Sequence, residues 1–411
     1  MVKKAHQELD SQITGQIDRL LPEITSIRHD LHAHPQLAYT ETYASQLIQQ
    51  HLTDANVPFQ AGLAETGVVA AIRCDHHDPQ AQAIALRADI DALPITENTN
   101  LPYASQNPGL MHACGHDGHT AALLGAAEIL ASLAREHPEA LPKPIKLIFQ
   151  PAEEAGAGAK RMIEDGALDQ TTLDLPVERI YGLHGWSSLD VGQIRTLPGP
   201  MMAATLSFQI ELRGQGGHAA APHETIDPIP AAANLVSNLQ TIASRFTKPT
   251  TPVVLTIANL HAGEGAVNII PHTATLNGTV RTFDLDLRDQ IRLKMQQIIE
   301  HTAAAHACTA SLTTVDGYPP TINDPEATQT LIDTAADAFG PDHVALLDDP
   351  VMGAEDFSFY AQRIPACFAF VGLRPPGQDT YPGLHTPEFD FNDHALPVSM
   401  KLLCELGLRG G

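Results

Sequence analysis

The ten residues Met111-His-Ala-Cys-Gly-His-Asp-Gly-His-Thr120 hold three histidines, a cysteine and an aspartate. Cys114 and His116 are separated only by Gly115. A thiolate and an imidazole are good ligands for a divalent transition metal, and on a tight loop both can turn towards one ion. The alternative is that His112, His116 and His119 share one face of a helix as packed or solvated residues. Gly115 and Gly118 oppose that, because each glycine costs a helix interior roughly 1 kcal/mol. The apolar pattern (Ala121, Leu123, Leu124, Ala127, Leu130, Leu133) begins only after Thr120. The spacing predicts a loop over 112–118 feeding a helix over 119–136. A helix N-terminus favours anions and lowers a cysteine pKa.

A catalytic metal needs more protein ligands than these two, so the question passes to the elements that position the rest. Residues 8–34 read as a helix with apolar positions Ile13, Ile17, Leu20, Leu21, Ile24, Ile27 and Leu31, with Pro22 as a candidate kink. A second helix follows at about 41–55. Apolar runs at 68–74, 83–88, 145–150 and 180–183 alternate with helices at about 119–136 and 157–165. That alternation predicts a mainly parallel α/β sheet. Ligands of open α/β sheets bind outside the carboxyl ends of the strands. Asp89 and Asp91, Glu153 and Glu154, and His184 all fall just past predicted strand ends, which gathers them on one edge beside the 112–119 loop.

The texture changes near 197–203. From there strands at 204–213, 253–260, 268–281 and 309–315 and helices at 228–244 and 286–306 follow the order β-α-β-β-α-β, a ferredoxin-like pattern. We expect an inserted domain over 200–317, with a first domain split between 1–199 and 318–411. The last part supplies a helix at 325–339, an apolar strand at 366–372, the loop holding His385 and a closing helix at 393–408.

The chain has 411 residues, is 43% hydrophobic and carries a formal charge of −24. Length and apolar content suit two domains with sizeable cores. The acidic balance argues against nucleic acid or an anionic membrane as partner. No apolar run approaches the ~18 residues of a membrane span, and the first residues lack the apolar segment of an export signal. Five scattered cysteines (74, 114, 308, 367, 404) suit free thiols in a reducing, cytoplasmic setting.

The candidate ligands are then Cys114, His116, one of Glu153 and Glu154, His184 and His385. A tetrahedral catalytic zinc uses about three protein ligands plus water. Five ligands, one of them bridging, suit two metals about 3.5–4 Å apart with a shared hydroxide. Adjacent residues in extended chain point opposite ways, so one glutamate can bind metal while the other faces substrate as a general base. Asp89 and Asp91 read either as supports that orient a ligand histidine or as cap and turn aspartates. His112 and His119 read as supporting rather than ligating. Asp117 reads as a helix cap. His32, His34, His76 and His77 carry no spacing signal. In the inserted domain, Gly216-Gly-His218-Ala-Ala-Ala-Pro-His223 is a small-residue loop that allows close approach of a substrate. Asn268 and Arg281, placed in one strand region, suit an amide oxygen and a carboxylate, with a surface ion pair as the alternative for Arg281.

These segments resemble the aminoacylase/carboxypeptidase superfamily of two-metal peptidases, and within it the amidohydrolase subgroup of N-acyl-amino-acid amidohydrolases, hippurate hydrolases and auxin-conjugate hydrolases. The carriers are Arg87-Ala-Asp-Ile-Asp-Ala-Leu-Pro94, Met111-His-Ala-Cys-Gly-His-Asp-Gly-His119, Gln150-Pro-Ala-Glu-Glu154, Gly182-Leu-His-Gly185, Gly216-Gly-His-Ala-Ala-Ala-Pro-His223, Asn268-Ile-Ile-Pro271, Gly353-Ala-Glu-Asp-Phe357 and His385-Thr-Pro-Glu388. The resemblance implies an α/β fold with a zinc-peptidase-like catalytic domain, a mixed, mainly parallel sheet, and an inserted ferredoxin-like α+β lid that mediates dimerisation. It implies two divalent metals on Cys114, His116, Glu154, His184 and His385, with Glu153 as general base. It implies His218 as the histidine that steadies the scissile carbonyl, often across a homodimer, with Asn268 and Arg281 on the substrate side. The wider superfamily has His-x-Asp where this chain has Asp89-Ile-Asp91, and an aspartate where it has Cys114; the subgroup shares both departures. Manganese or zinc, then cobalt or nickel, suit such a set. The expected activity is hydrolysis of small-molecule N-acyl or N-aroyl amino acids. A metallo-carboxypeptidase or dipeptidase of the same fold is the alternative, and a cysteine-nucleophile amidase a more distant one.

Overall fold

The computed structural model describes residues 2–409. The chain divides into two compact units, Met1–Met201 with Ile322–Asp349 and Asp356–Gly411, and Met202–Thr321 with Pro350–Glu355.

The first unit is built on an eight-stranded sheet. Its strands lie in the order Phe59–Leu63, Gly67–Ile72, Ile145–Gln150, Ala83–Asp89, Val177–Asp190, Ala366–Arg374, Ile194–Thr196, Val344–Leu346. The four central strands, from Ile145–Gln150 to Ala366–Arg374, are mutually parallel, and every residue of Ile145–Gln150 and Ala83–Asp89 is buried. A strand buried on both faces reads as a continuous apolar run, which is why these were legible. Phe59–Leu63 was not, since its middle is exposed and carries no apolar run.

One core contains the inward faces of the helices Val2–Ala33, Thr42–Asp54, His116–Glu136, Pro325–Phe339 and Leu396–Arg409, together with the sheet. Each fully buried Leu or Ile there contributes on the order of 1.5–3 kcal/mol. The first helix runs unbroken through Pro22.

Two expectations need correction. The helix after Gly115 starts at His116, three residues earlier than its apolar pattern suggests, so Gly118 lies inside it. The reason is tertiary: a Cβ at Gly118 would stand 2.4 Å from the Phe391 ring. The glycine that reads as a helix breaker is a packing notch. Residues 268–281 are not one strand either. Pro271 interrupts them, leaving Ile269–Ile270 and Thr273–Thr282 in different sheets, because proline has no N–H for a ladder.

The second unit has an antiparallel sheet in the order Val253–Ala262, Thr273–Thr282, Ala204–Arg213, Thr309–Asp316. Helices Pro228–Thr241 and Leu285–Ala305 share its separate core. This is the β-α-β-β-α-β arrangement.

Candidate active site

Strand ends place several of the candidate side chains of the first unit. Ala83–Asp89 ends on Asp89, and Ile145–Gln150 runs into Glu153 and Glu154. His184 does not follow a strand end, as expected, but lies within the long strand Val177–Asp190. Pairing with Ala83–Asp89 stops at Arg87 opposite Gly182, while pairing with Ala366–Arg374 continues through His184 opposite Phe370. His184 therefore passes the carboxyl end of one neighbour while the other holds it. Gly115, at φ 88°, turns the chain into the helix His116–Glu136.

Cys114 is at the centre. Its Sγ lies 3.3 Å from His184 Nε2 and 3.3 Å from His385 Nε2. His385 Nε2 is also 3.2 Å from Glu154 Oε1, and His116 Nε2 is 4.0 Å from that oxygen. Ligand atoms of Cys114, His116 and His184 lie within 4.8 Å of one another; so do those of Cys114, Glu154 and His385, and those of His116, Glu153 and Glu154. Cys114, His116 and Glu154 each belong to two of these groups, so the three sets overlap in one cluster. Glu153 is buried, and Oε1 accepts from Asp356 N–H at 3.4 Å.

The electrostatics suit a cation. Burial holds the Cys114 thiol well above its ordinary pKa, and Glu154, Glu153 and Asp89 add to that. Burial opposes charge on His116, but Asp89 and Asp91 outweigh it and push His116 up to about 10. Burial, helped by His119, keeps the His184 imidazole neutral. Burial would raise Glu154, but His385 and His116 hold it below the usual carboxylate value. His116 Nε2 is buried without a hydrogen-bond partner. One soft sulfur, three imidazole nitrogens and a carboxylate, with an unsatisfied buried nitrogen among them, fit divalent transition metals. A bound cation would reverse the preference of the thiol for its proton.

Residues 85–409 match the pattern of peptidase family M20/M25/M40. The chain belongs to that family. It is 38% identical over 390 residues to IAA-amino acid hydrolase ILR1-like 4 of Arabidopsis thaliana, covering 94% of this chain and 85% of the relative. It is 39% identical over 394 residues to N-acetyl-L-cysteine deacetylase of Bacillus subtilis, covering 96% and 89%. Among solved structures, a Bacillus subtilis protein described as a dinuclear metal binding peptidase from the M20 family superposes with TM-score 0.79 at 32% identity, covering 95% of this chain and 98% of that one. The chain is an amidohydrolase of this family.

The M20 site is braced from behind. Asp91 Oδ1 and its backbone oxygen lie 3.1 and 3.0 Å from His116 Nδ1, and Asp91 Oδ2 accepts from Glu154 N–H at 2.9 Å. One carboxylate thus fixes the ring of His116 and the backbone of Glu154. His119 donates from Nδ1 to Asp89 at 2.6 Å, and its Nε2 accepts from Gly185 N–H at 2.8 Å. With both nitrogens committed, His119 is a brace rather than a ligand. Asp89 also pairs with Arg87 at 2.7 Å. Burial would raise Asp89, but His116, His119 and Arg87 hold it well below the usual carboxylate range. Arg87 continues to Gln150 and Asp356, at 2.9 and 3.1 Å. Sequence reasoning missed this network, although an arginine inside an apolar strand was its visible signal. Asp117 is not the cap: Gly115 holds that position, and Asp117 pairs with His32 at 2.9 Å. His385 has φ 62°, a left-handed conformation that costs a non-glycine residue about 1 kcal/mol or more and clusters at functional sites.

In the second unit, His218 pairs with Ile269 in a two-stranded ladder, and Ala219 N–H donates to Asn268 O at 3.0 Å. His218 and Asn268 line the same cavity, of about 660 Å³. His218 Nδ1 accepts from Ala220 N–H at 3.0 Å, so its proton sits on Nε2, which is free to donate. Arg281 is not in this cavity. It lies in Thr273–Thr282 and donates to Met352 O at 2.9 Å, a backbone carbonyl rather than the surface carboxylate of the alternative reading.

Proposed function

We propose that the protein hydrolyses the amide bond of N-acyl or N-aroyl amino acids to a carboxylic acid and a free amino acid, with two divalent metals held by Cys114, His116, Glu154, His184 and His385. The observation that carries this reading is the convergence of these five side chains around one buried sulfur, with Glu153 beside them. Manganese or zinc suits the set best, cobalt or nickel next. Metals bound there would supply Lewis acidity to the amide carbonyl and to the attacking water. The protein does the rest. Glu153, tied to Asp356 N–H and adjacent to the metal-facing Glu154, takes the proton of the water and delivers it to the leaving nitrogen. His218 donates from Nε2 to the developing oxyanion. Asn268 takes a substrate oxygen, and Arg281 the substrate carboxylate.

The names of the Arabidopsis and Bacillus relatives describe enzymes acting on this type of bond. The exposed Val267 and Ile269, beside Asn268, support a homo-oligomer in which the second unit meets another copy. Among the described residues no helix is long and apolar enough to cross a membrane, and all five cysteines are free, which supports the cytoplasm as its place.

The test is a panel of N-acetyl, N-benzoyl and bulky aromatic acyl amino acids of both chiralities, with dipeptides and C-terminally blocked peptides alongside, on metal-reconstituted wild type and Glu153→Gln. Glu153→Gln is expected to keep both metals by elemental analysis and to lose turnover by a factor of about 10²–10⁴ or more. Normal turnover by Glu153→Gln would remove the base assignment. Preference for peptides over N-acyl amino acids would make the enzyme a carboxypeptidase or dipeptidase.

A further inference from the structure

Arg28 lies in the first helix, and no part of its side chain is exposed. Its guanidinium meets three aspartates from two distant segments. Nη1 is 3.3 Å from Asp117 Oδ2 and 2.7 Å from Asp390 Oδ1, and Nε is 2.8 Å from Asp393 Oδ1. Asp117 follows His116 directly on the helix His116–Glu136. Asp390 and Asp393 lie in the segment that follows His385. The Tyr103 ring lies 4.6 Å from the guanidinium, and its hydroxyl donates to Asp390 Oδ2 at 2.9 Å. His32, one helical turn past Arg28, lies 2.9 Å from the same Asp117 oxygen.

The His385 segment needs such a hold. His385 sits in a left-handed conformation, its side chain is 51% exposed, and its N–H donates to Ala113 O at 2.8 Å. Tyr381 and Arg28 both fasten the chain at Asp390, five residues on. Parting the two segments would strip the buried guanidinium of both Asp390 and Asp393, a costly loss for a buried charge.

We propose that Arg28 is a positioning residue for the metal centre: it clamps the segment bearing Cys114 and His116 to the segment bearing His385, so that ligands 271 residues apart in sequence keep one spacing. This rests on the five-ligand reading above. Residues behind metal ligands typically change metal affinity about 10–100-fold when replaced. Lysine keeps the charge but not the planar fork that reaches several carboxylates.

The test is equilibrium competition against a chromophoric chelator, with Zn²⁺ and Mn²⁺, on full-length wild type, Arg28→Lys, Asp393→Asn and Lys146→Met, with folding checked by near-UV circular dichroism. Arg28→Lys is expected to bind at least one of the two metals about tenfold more weakly or worse, and Asp393→Asn to shift the same way by less. Lys146 is a buried cation held by the carbonyls of Leu175 and Asp169 at 2.7 and 3.2 Å. Its methionine variant is expected to lose stability with no change in metal affinity. Unchanged affinity in folded Arg28→Lys and Asp393→Asn overturns the proposal, and so does an equal loss in Lys146→Met. If Arg28→Lys does not fold, Asp393→Asn, which leaves the other two ion pairs in place, decides alone. A wild type that binds no metal overturns the reading of the centre instead.

Discussion

The cluster around Cys114 and the loop around His218 solve opposite problems. In the first, the side chains are mostly buried, Asp89 is held by Arg87 and His119, and Asp91 holds His116, all within hydrogen-bond distance. In the second, His218, Asn268 and Val267 are exposed, and what holds them is a two-residue ladder and a few backbone bonds. A metal centre gains from geometry fixed before binding, because reorganising ligands costs affinity and precision. A loop that must admit and release a substrate is better left at low local stability. The difference assigns preorganisation to the first unit and adaptability to the second.

That division can be broken experimentally. Stripping the protein with a chelator is expected to abolish hydrolysis, and adding Mn²⁺ or Zn²⁺ to restore it; full activity in a metal-free sample by elemental analysis would leave the cluster without its proposed role. His218→Ala is expected to lower kcat about 10²–10³-fold, as removal of an oxyanion donor does, with metal content and thermal midpoint unchanged. If it loses metal, the two regions are not separable in this way. Asp91→Asn keeps the shape but weakens the hold on His116 and on Glu154 N–H. We expect a metal affinity about 10–100-fold lower, read by chelator competition, with KM moving less than kcat.

The smallest expected effect concerns pH. Burial lowers the pKa of His32, but Asp117 and then Glu97 outweigh it and carry it up to about 9; Arg28, Tyr103 and His112 complete its surroundings. A group raised in the folded state stabilises the fold in its charged form. That contribution is complete below the unfolded value of 6.5 and is lost as pH rises through about 9. The urea midpoint of wild type is therefore expected to fall between pH 7 and about 10, and that of His32→Gln to fall less steeply. Parallel slopes for the two would remove His32 from the account.

Much of this was open to reading without coordinates. Cys114 and His116 declare themselves by spacing, and Glu153, Glu154 and Asp91 by following apolar strands. His184 reads from the sequence as following a strand end, and the structure places it inside Val177–Asp190. Its strand does not end, and only the register against its two neighbours shows how it emerges. Gly118 shows the limit in another form, because the contact that requires it comes from Phe391, far along the chain. Arg28 was visible in principle. It falls four residues after Ile24 and three before Leu31, on the apolar stripe of its helix, where a charge demands buried partners. Helical spacing cannot name those partners.

The sequence by itself determined which residue types are available and where each stands relative to its own strand or helix, because periodicity and strand-end position are local properties of the chain. Tertiary structure alone decided that Cys114, His184 and His385 meet, that His119 spends both nitrogens elsewhere, and that one arginine spans two ligand segments. Those facts depend on strand order, register and close packing between segments remote in the chain, and no local pattern encodes them.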